Sequence, residues 1–403
     1  MKHDLSRAHF LGAGAALSAF TALPKSARAT EAPAADTTFG RVDRALVLSG
    51  GGARGSYEAG IIDYLASSQG LRDGVPLAPY GIICGTSIGA LNGYFVATGQ
   101  FSKLRNLWYT VADEAPVRLK ARYAALTDNN SGLGTRVAQA LRLAFGMTAN
   151  ANGVLDGKHL RAWMARHIDP TRPVVTPFVW TVTNLTRQSP EYFYLVPKQL
   201  SPAEQAIAVS ALQATVGPKA ILREATHALL IDALRASAAI PVAFSPVELP
   251  DASGARAAYV DGGVTANTPI GVARAAARSV DVVMLDPLFE SATYKNALDI
   301  GLAVFGAMQK RILEADIHAA YVESLVKQAM VGTGLSPEAR SLAKSLFDSD
   351  FFILRPKSEL PVGAFAFDDR KALFQTYKRG FERASSGFPR YHYGMFGQRP
   401  KPD

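Results

Sequence analysis

The sequence has one cysteine, Cys84, in 403 residues. That excludes a disulfide within the chain and any metal site built from several thiolates. The fold must therefore be held by packing, and a chain of this length has ample residues to bury a core. Charge is also sparse, at 19% of residues against the roughly 25% usual in soluble proteins. No stripe of Lys and Arg is interleaved with aromatics, so nothing in the pattern supports nucleic-acid binding. Beyond residue 29 no apolar run approaches the ~20 residues that cross a bilayer. There is no internal repeat. What is present is a hydrophobic content of 48%, which excludes a disordered chain, a coiled coil and a collagen-like fibre.

Residues 1–29 read as an export signal. Lys2, His3 and Arg7 make a positive start, Phe10 to Leu23 an apolar run, and Ala27-Arg28-Ala29 a small-x-small cleavage pattern. The run Ser6-Arg7-Ala8-His9-Phe10-Leu11 is similar to a twin-arginine signal with one arginine missing. Residues 30–40 read as an Ala/Thr/Pro-rich linker, and 41–403 as one domain with a helical C-terminal part. The expectation is a periplasmic or secreted protein, soluble or peripheral. The net charge is +9, of which Lys2, Arg7, Lys25 and Arg28 less Asp4 supply three. The remainder suits an anionic surface, or simply a basic exported protein.

Along the mature chain, strand and helix patterns alternate. Ala45 to Leu48 is an apolar run that ends in glycines, as a buried parallel strand does. Tyr57, Ile61, Ile62 and Leu65 follow at helical spacing. Tyr80 to Cys84 is a second strand and Ile88 to Ala97 a second helix. Residues 44–98 are thus a βαβα unit, and the fold class is α/β. Residues 101–170 read as helices broken near Asn129 to Gly132 and Asn150 to Gly153. Val174 to Leu185 and Tyr192 to Val196 read as strands, 201–237 as helical with a break at Val216-Gly217-Pro218, and Ala257 to Val260 as a strand. Pro269 to Arg278 is helical, Val282 to Leu285 a strand, 293–331 a long helix, Phe351 to Leu354 a strand and 368–385 a helix.

Two turns in the βαβα unit carry chemistry. Gly50-Gly51-Gly52-Ala53-Arg54-Gly55 joins the first strand to the first helix. Glycines allow a tight turn and close approach of a ligand, and N–H groups at a helix start favour negative charge. The loop could hold a dinucleotide pyrophosphate, another phosphate, or the oxyanion of an acyl transfer. The dinucleotide reading needs an acid at the second strand end, about 20 residues on. Asp73 is at that distance but lies in a loop before the strand. The second turn, Gly85-Thr86-Ser87-Ile88-Gly89, is a G-x-S-x-G between strand and helix, the setting of a nucleophile elbow. Cys84 beside it reads as a small buried strand residue.

A serine hydroxyl needs a base. His159, His167, His227, His318 and His392 are available, but none lies in a glycine turn or at a clear strand end; His392, among Tyr391, Tyr393 and Phe396, is the best of them. Asp261-Gly262-Gly263 is better placed. Asp261 ends a strand and opens a glycine turn, so it should face the same sheet edge as Ser87 and take its proton directly. Only one strand–helix–strand unit separates the glycine loop from the elbow, unlike the α/β-hydrolase plan.

These three motifs in this order resemble the patatin-like phospholipase family. The stretch Ala236-Ser237-Ala238-Ala239-Ile240-Pro241, with Phe244 to Val247, resembles the segment before that family's Asp-Gly motif. The resemblance covers about residues 44–100 and 230–290. It implies a three-layer α/β/α fold with a mainly parallel sheet, and hydrolysis of lipid acyl esters by a Ser–Asp dyad with no metal or organic cofactor. Residue by residue, it implies Ser87 as nucleophile and Asp261 as base. It implies Gly51, Gly52 and Ala53 N–H groups in the glycine loop that Gly50 opens as the oxyanion hole, and Arg54 as electrostatic support. Gly85, Gly89, Gly262 and Gly263 support the turns. A thioesterase, a small-ester esterase and a non-catalytic binder of anionic lipid are the alternatives. A lipid substrate also implies peripheral membrane contact, for which the apolar faces of 204–236 and 298–331 are candidates.

Overall fold

Strand β1 (Val42–Leu48) is apolar without alternation because both its faces are covered. In the computed structural model it lies inside a nine-stranded sheet, counted among the described residues. Those residues are 42–287, except 126, 128–129, 147–152 and 217–219, then 350–388, with isolated positions 306, 310, 312 and 336. The leader, the linker, the 293–331 helix and both His318 and His392 lie outside the described residues. The other strands are β2 (Tyr80–Thr86), β3 (Phe178–Asn184), β4 (Ser189–Leu195), β5 (Ile221–Glu224), β6 (Val247–Pro250), β7 (Arg256–Asp261), β8 (Ala277–Val283) and β9 (Asp350–Leu354). The main path runs β5-β4-β3-β2-β1-β8-β9. Five of these strands, β3, β2, β1, β8 and β9, are mutually parallel. β4 turns back on β3, and β5 runs parallel to β4. The sheet is mixed but mainly parallel, as expected.

The helices longer than four residues, among the described residues, are α1 (Gly55–Ser68), α2 (Ile88–Ala97), α3 (Phe101–Glu114), α4 (Leu133–Gly146), α5 (Gly157–His167), α6 (Pro202–Val216), α7 (Leu230–Ser237), α8 (Ile270–Ala276) and α9 (Arg370–Ser385). Successive residues of a strand face opposite sides, and both sides of this sheet find partners. Leu46, Leu48 and Ile83 pack with Tyr57, Ile61 and Tyr94 on the side of α1 and α2. Ala45, Val47 and Cys84 pack with Leu212, Ile270 and Ala273 on the side of α6 and α8. This is a three-layer α/β/α arrangement. Cys84 is fully buried there, and burial pushes its thiol up to about 12. α9 lies against α1 at backbone distance. A Cβ on Gly60 would stand 2.0 Å from Tyr377 O, and one on Gly380 would stand 2.0 Å from Tyr57 O.

Three differences from the sequence reading have physical reasons. The helical stretch 201–237 is split by β5, four residues that pair only with β4 at the sheet edge; so short an edge strand shows no period. β6, likewise four residues, was not expected at all. β8 begins at Ala277, before the expected Val282, because Ala277 pairs with Val42. The apolar stripe within 204–236 is not a membrane face. Ala208, Val209, Leu212 and Val216 pack on the sheet, and Leu230, Ala233 and Leu234 join the opposite core. No helix among the described residues is long and apolar enough to cross a membrane.

Candidate functional site

β1 and β2 are adjacent and parallel, so the turns that follow them lie side by side. Ser87 stands between β2 and α2 with φ 55° and ψ −124°, a strained conformation for a non-glycine residue, costing on the order of 1–3 kcal/mol. The surroundings enforce it. Ser87 N–H donates to Ser237 Oγ (2.9 Å), whose hydroxyl donates to Thr181 O (2.7 Å). Ser87 O accepts from Ala90 N–H (3.0 Å) and Leu91 N–H (3.2 Å), the first turn of α2. The turn also presses against β1: a Cβ on Gly89 would lie 2.3 Å from Leu48 O, and one on Gly85 would lie 2.5 Å from Gly89 O.

Ser87 Oγ–H donates to Asp261 Oδ2 at 2.7 Å. The two side chains are 5% and 3% exposed. Asp261 reaches Ser87 at the end of β7, which runs antiparallel to β3. β2 pairs with β3 as far as Thr86↔Thr181, and β7 then takes up the vacated side of β3 from Val182↔Asp261 to Asn184↔Tyr259. β7 therefore points back at the end of β2 and delivers its last residue to the serine. Asp261 Oδ1 accepts from Gly263 N–H (2.7 Å). Asp261 N–H donates to Ala239 O (2.9 Å), and Gly262 N–H to Ser237 O (3.3 Å). A Cβ on Gly262 would meet Thr181 O at 2.3 Å. Burial pushes the Asp261 carboxyl up to about 7, against the opposing pull of the Ser87 hydroxyl and the Gly263 N–H.

The glycine loop narrows the set of anion donors. Gly50 N–H donates to Asn267 O (3.1 Å), Ala53 N–H to Ala364 O (2.8 Å), and Arg54 N–H to Gly51 O (3.3 Å). Ala53 is thus occupied, and Gly50 and Arg54 offer no free N–H. The N–H groups of Gly51 and Gly52 make no hydrogen bond among the described residues. Gly52, at φ 59°, shares a cavity wall with Ser87. The Arg54 guanidinium pairs with Asp286 at 3.0 Å, so its charge is already balanced.

The cavity is narrow, with a volume of about 60 Å³. Leu91, Phe95, Leu107, Val111 and Phe365 give it an apolar wall. His167 also lines it, but its Nε2 lies 2.5 Å from Glu114 Oε2. His159 Nε2 is 2.8 Å from Ala115 O, and His227 is exposed. Among the described histidines, none bonds Ser87. No group of three or more His, Cys, Asp or Glu among the described residues is placed to hold a metal ion.

Several supporting residues carried no signal of their own. Ser237 and Ala364 act through hydrogen bonds to backbone distant in sequence. A buried brace also joins α1, α2 and α3. Asn92 Nδ2 donates to Gly55 O (3.0 Å) and Glu58 Oε2 (2.9 Å), and Trp108 Nε1–H donates to Asn92 Oδ1 (3.0 Å). Burial raises the Glu58 carboxyl well above the usual range, outweighing the Asn92 amide and the nearby Ser49 N–H. The Ser49 N–H is spent chiefly on Val283 O at 3.1 Å, and Glu58 Oε1 has no hydrogen bond of good geometry.

A glycine loop and a serine elbow on adjacent parallel strands, with a buried carboxylate hydrogen-bonded to the serine, are the arrangement of a serine-hydrolase type of site. The family model for patatin-like phospholipases matches residues 46–274, more than half of the chain, and the chain belongs to that family. No curated protein matches the chain. Among solved structures, VipD from Legionella pneumophila is similar at 13% identity and a TM-score of 0.33, over 86% of this chain and 66% of that one. That overlap is too slight to bear on the site.

Proposed function

We propose that the protein is a serine lipid acyl hydrolase of phospholipase A or lysophospholipase type, acting through an acyl-enzyme on Ser87. The observation that carries this reading is the 2.7 Å hydrogen bond from Ser87 Oγ to a carboxylate held near pH 7. A general base works best when its pKa lies near the working pH. In the ionised form Asp261 takes the Ser87 proton as Oγ attacks the ester carbonyl. The carbonyl oxygen becomes an oxyanion, for which Gly51 and Gly52 N–H are the available donors. The protonated Asp261 then gives its proton to the departing alkoxide, and the acyl group stays on Ser87. Water enters, Asp261 takes its proton, and the same steps in reverse free the acid. The apolar cavity beside Ser87 suits an acyl chain, and membership of the family supports a lipid substrate. Export after cleavage near Ala29, to the periplasm or beyond, is part of the same proposal and is checked by N-terminal sequencing of the cell-fractionated protein.

The test is mass spectrometry of phospholipids, lysophospholipids, acyl thioesters and short esters incubated with the protein and with Ser87→Ala. Free fatty acid from lipid esters, reduced at least ~10³-fold in Ser87→Ala, is the expected result. Turnover confined to thioesters or short esters would replace the substrate. No turnover in a folded chain would leave a binder.

A further inference from the structure

Between β9 and α9, residues 363–368 form turns rather than helix or strand, and three of them, Ala364, Phe365 and Phe367, line the Ser87 cavity. This strap lies outside residues 46–274, so membership of the family does not specify it. It is fixed at two points. Ala364 O accepts from Ala53 N–H in the glycine loop (2.8 Å), and Asp368 Oδ2 accepts from Leu133 N–H at the start of α4 (2.6 Å). Between them Phe367 stacks on Trp108, with ring centroids 6.4 Å apart.

The rest of the wall is tied into packed helices. Leu91 and Phe95 from α2 and Val111 from α3 are buried core residues. Two indoles are pinned, Trp108 by Asn92 Oδ1 at 3.0 Å and Trp163 by Glu114 Oε2 at 2.9 Å. Phe365 is different. It is half-buried and sits in a turn, and a Cβ on the nearby Gly363 would meet nothing within 4 Å. Its ring narrows the cavity from the side that is not held by a helix.

The space beside that ring is small. A cavity of about 150 Å³ holds one benzene ring, and this one has about 60 Å³. It takes an acyl group shorter than benzene's carbon count unless a wall yields. The strap stands where such a group begins. Ala364 touches the glycine loop, and Gly52 and Ser87 line the same cavity. An acyl group on Ser87 with its oxygen toward the Gly52 N–H therefore starts its chain beside the strap, one residue from Phe365.

We propose that Phe365 sets the size of the acyl group that this site accepts. A short acyl group fits beside the ring, and a longer one enters only by displacing it. This rests on the hydrolase reading and names the residue that determines its acyl specificity.

The experiment measures kcat/KM of the full chain for p-nitrophenyl butyrate and p-nitrophenyl laurate, the latter kept below its critical micelle concentration. The readout is the ratio of laurate to butyrate, because a general loss of folding or chemistry lowers both together. Each methylene taken into an apolar site contributes about fourfold. Room for about two more should raise the ratio at least about tenfold in Phe365→Ala. Phe365→Trp, which fills the space further, should lower it about threefold or more. Phe365→Leu, a smaller truncation, should move the ratio in the same direction as alanine and carries the test where the alanine variant does not fold. The proposal fails if the ratio in the folded variants stays within about twofold of wild type, or if truncation and enlargement move it the same way. Turnover with an unmoved ratio overturns the role of Phe365 alone. A folded wild-type chain that hydrolyses neither ester overturns the hydrolase reading and this proposal with it.

Discussion

Replacing Asp261 by Asn should stabilise the fold while removing the activity. The side chain is 3% exposed, and burial holds its carboxyl up to about 7 against an ordinary value of 3.8. Below pH 3.8 both the folded and the unfolded chain carry the proton, and Asp261 has no effect on stability relative to a neutral group. As pH rises toward 7 the unfolded chain gives up its proton and the folded chain keeps it, so stability falls; above 7 the loss is complete. A shift of about three units corresponds to about 4 kcal/mol at neutral pH and above. Asn fits the same bonds, with its oxygen accepting from Gly263 N–H and its amide donating to Ser87 Oγ. Denaturant or thermal unfolding of both proteins between pH 4 and 8.5 checks this. The variant should gain on the wild type steadily from pH 4 to about 7 and then hold its advantage. A difference in stability that stays flat over that range would refute the reasoning, because Asp261 would then not be a buried carboxyl titrating near 7.

Gly52→Ala should lower kcat by 10- to 100-fold or so with little change in KM, because the new Cβ meets Ala364 O at 2.2 Å and must displace the loop; steady-state kinetics with a soluble ester reads this. Glu58→Gln should leave kcat and its pH profile nearly unchanged, since burial favours the uncharged carboxyl and Gln keeps an acceptor for Asn92, whereas Glu58→Leu should cost about 1–3 kcal/mol by removing one of the two acceptors of the Asn92 amide. Unfolding measurements beside kinetics separate the two. In the wild type, kcat/KM for a soluble ester should rise with pH to a plateau above about 7, and an early plateau near pH 5 would mean that Asp261 is not the base.

How much was visible beforehand depended on whether a feature is local. The βαβα unit was legible because continuous apolar runs ending in glycine mark buried strands, and Ser87 follows directly from that setting. Asp261 is legible from its strand-to-glycine turn, whereas the direction of its strand is not. The antiparallel insertion of β7 beyond the end of β2 depends on strand order, which no local pattern encodes. The short edge strands β5 and β6 have too few residues for a period. Ala364 closes the glycine loop through a carbonyl, which every residue has, so its role leaves no mark in side-chain chemistry. Ser237 lies in a stretch of small residues, and its bond to the Ser87 N–H becomes meaningful only once α7 is packed against β3 and β7. Glu58 has no local mark of its role, because its burial depends on α2 and α3 covering that face of α1.

The central claim is that Asp261 activates Ser87 as a nucleophile. It is tested most directly by the rate at which a fluorophosphonate labels the protein, followed across pH and mapped by peptide mass spectrometry. The account predicts one labelled site, Ser87, a rate that rises with an apparent pKa near 7, and a loss of at least about 10²-fold in Asp261→Asn. Labelling at another residue, or Ser87 labelling that is independent of pH and survives Asp261→Asn, would contradict it.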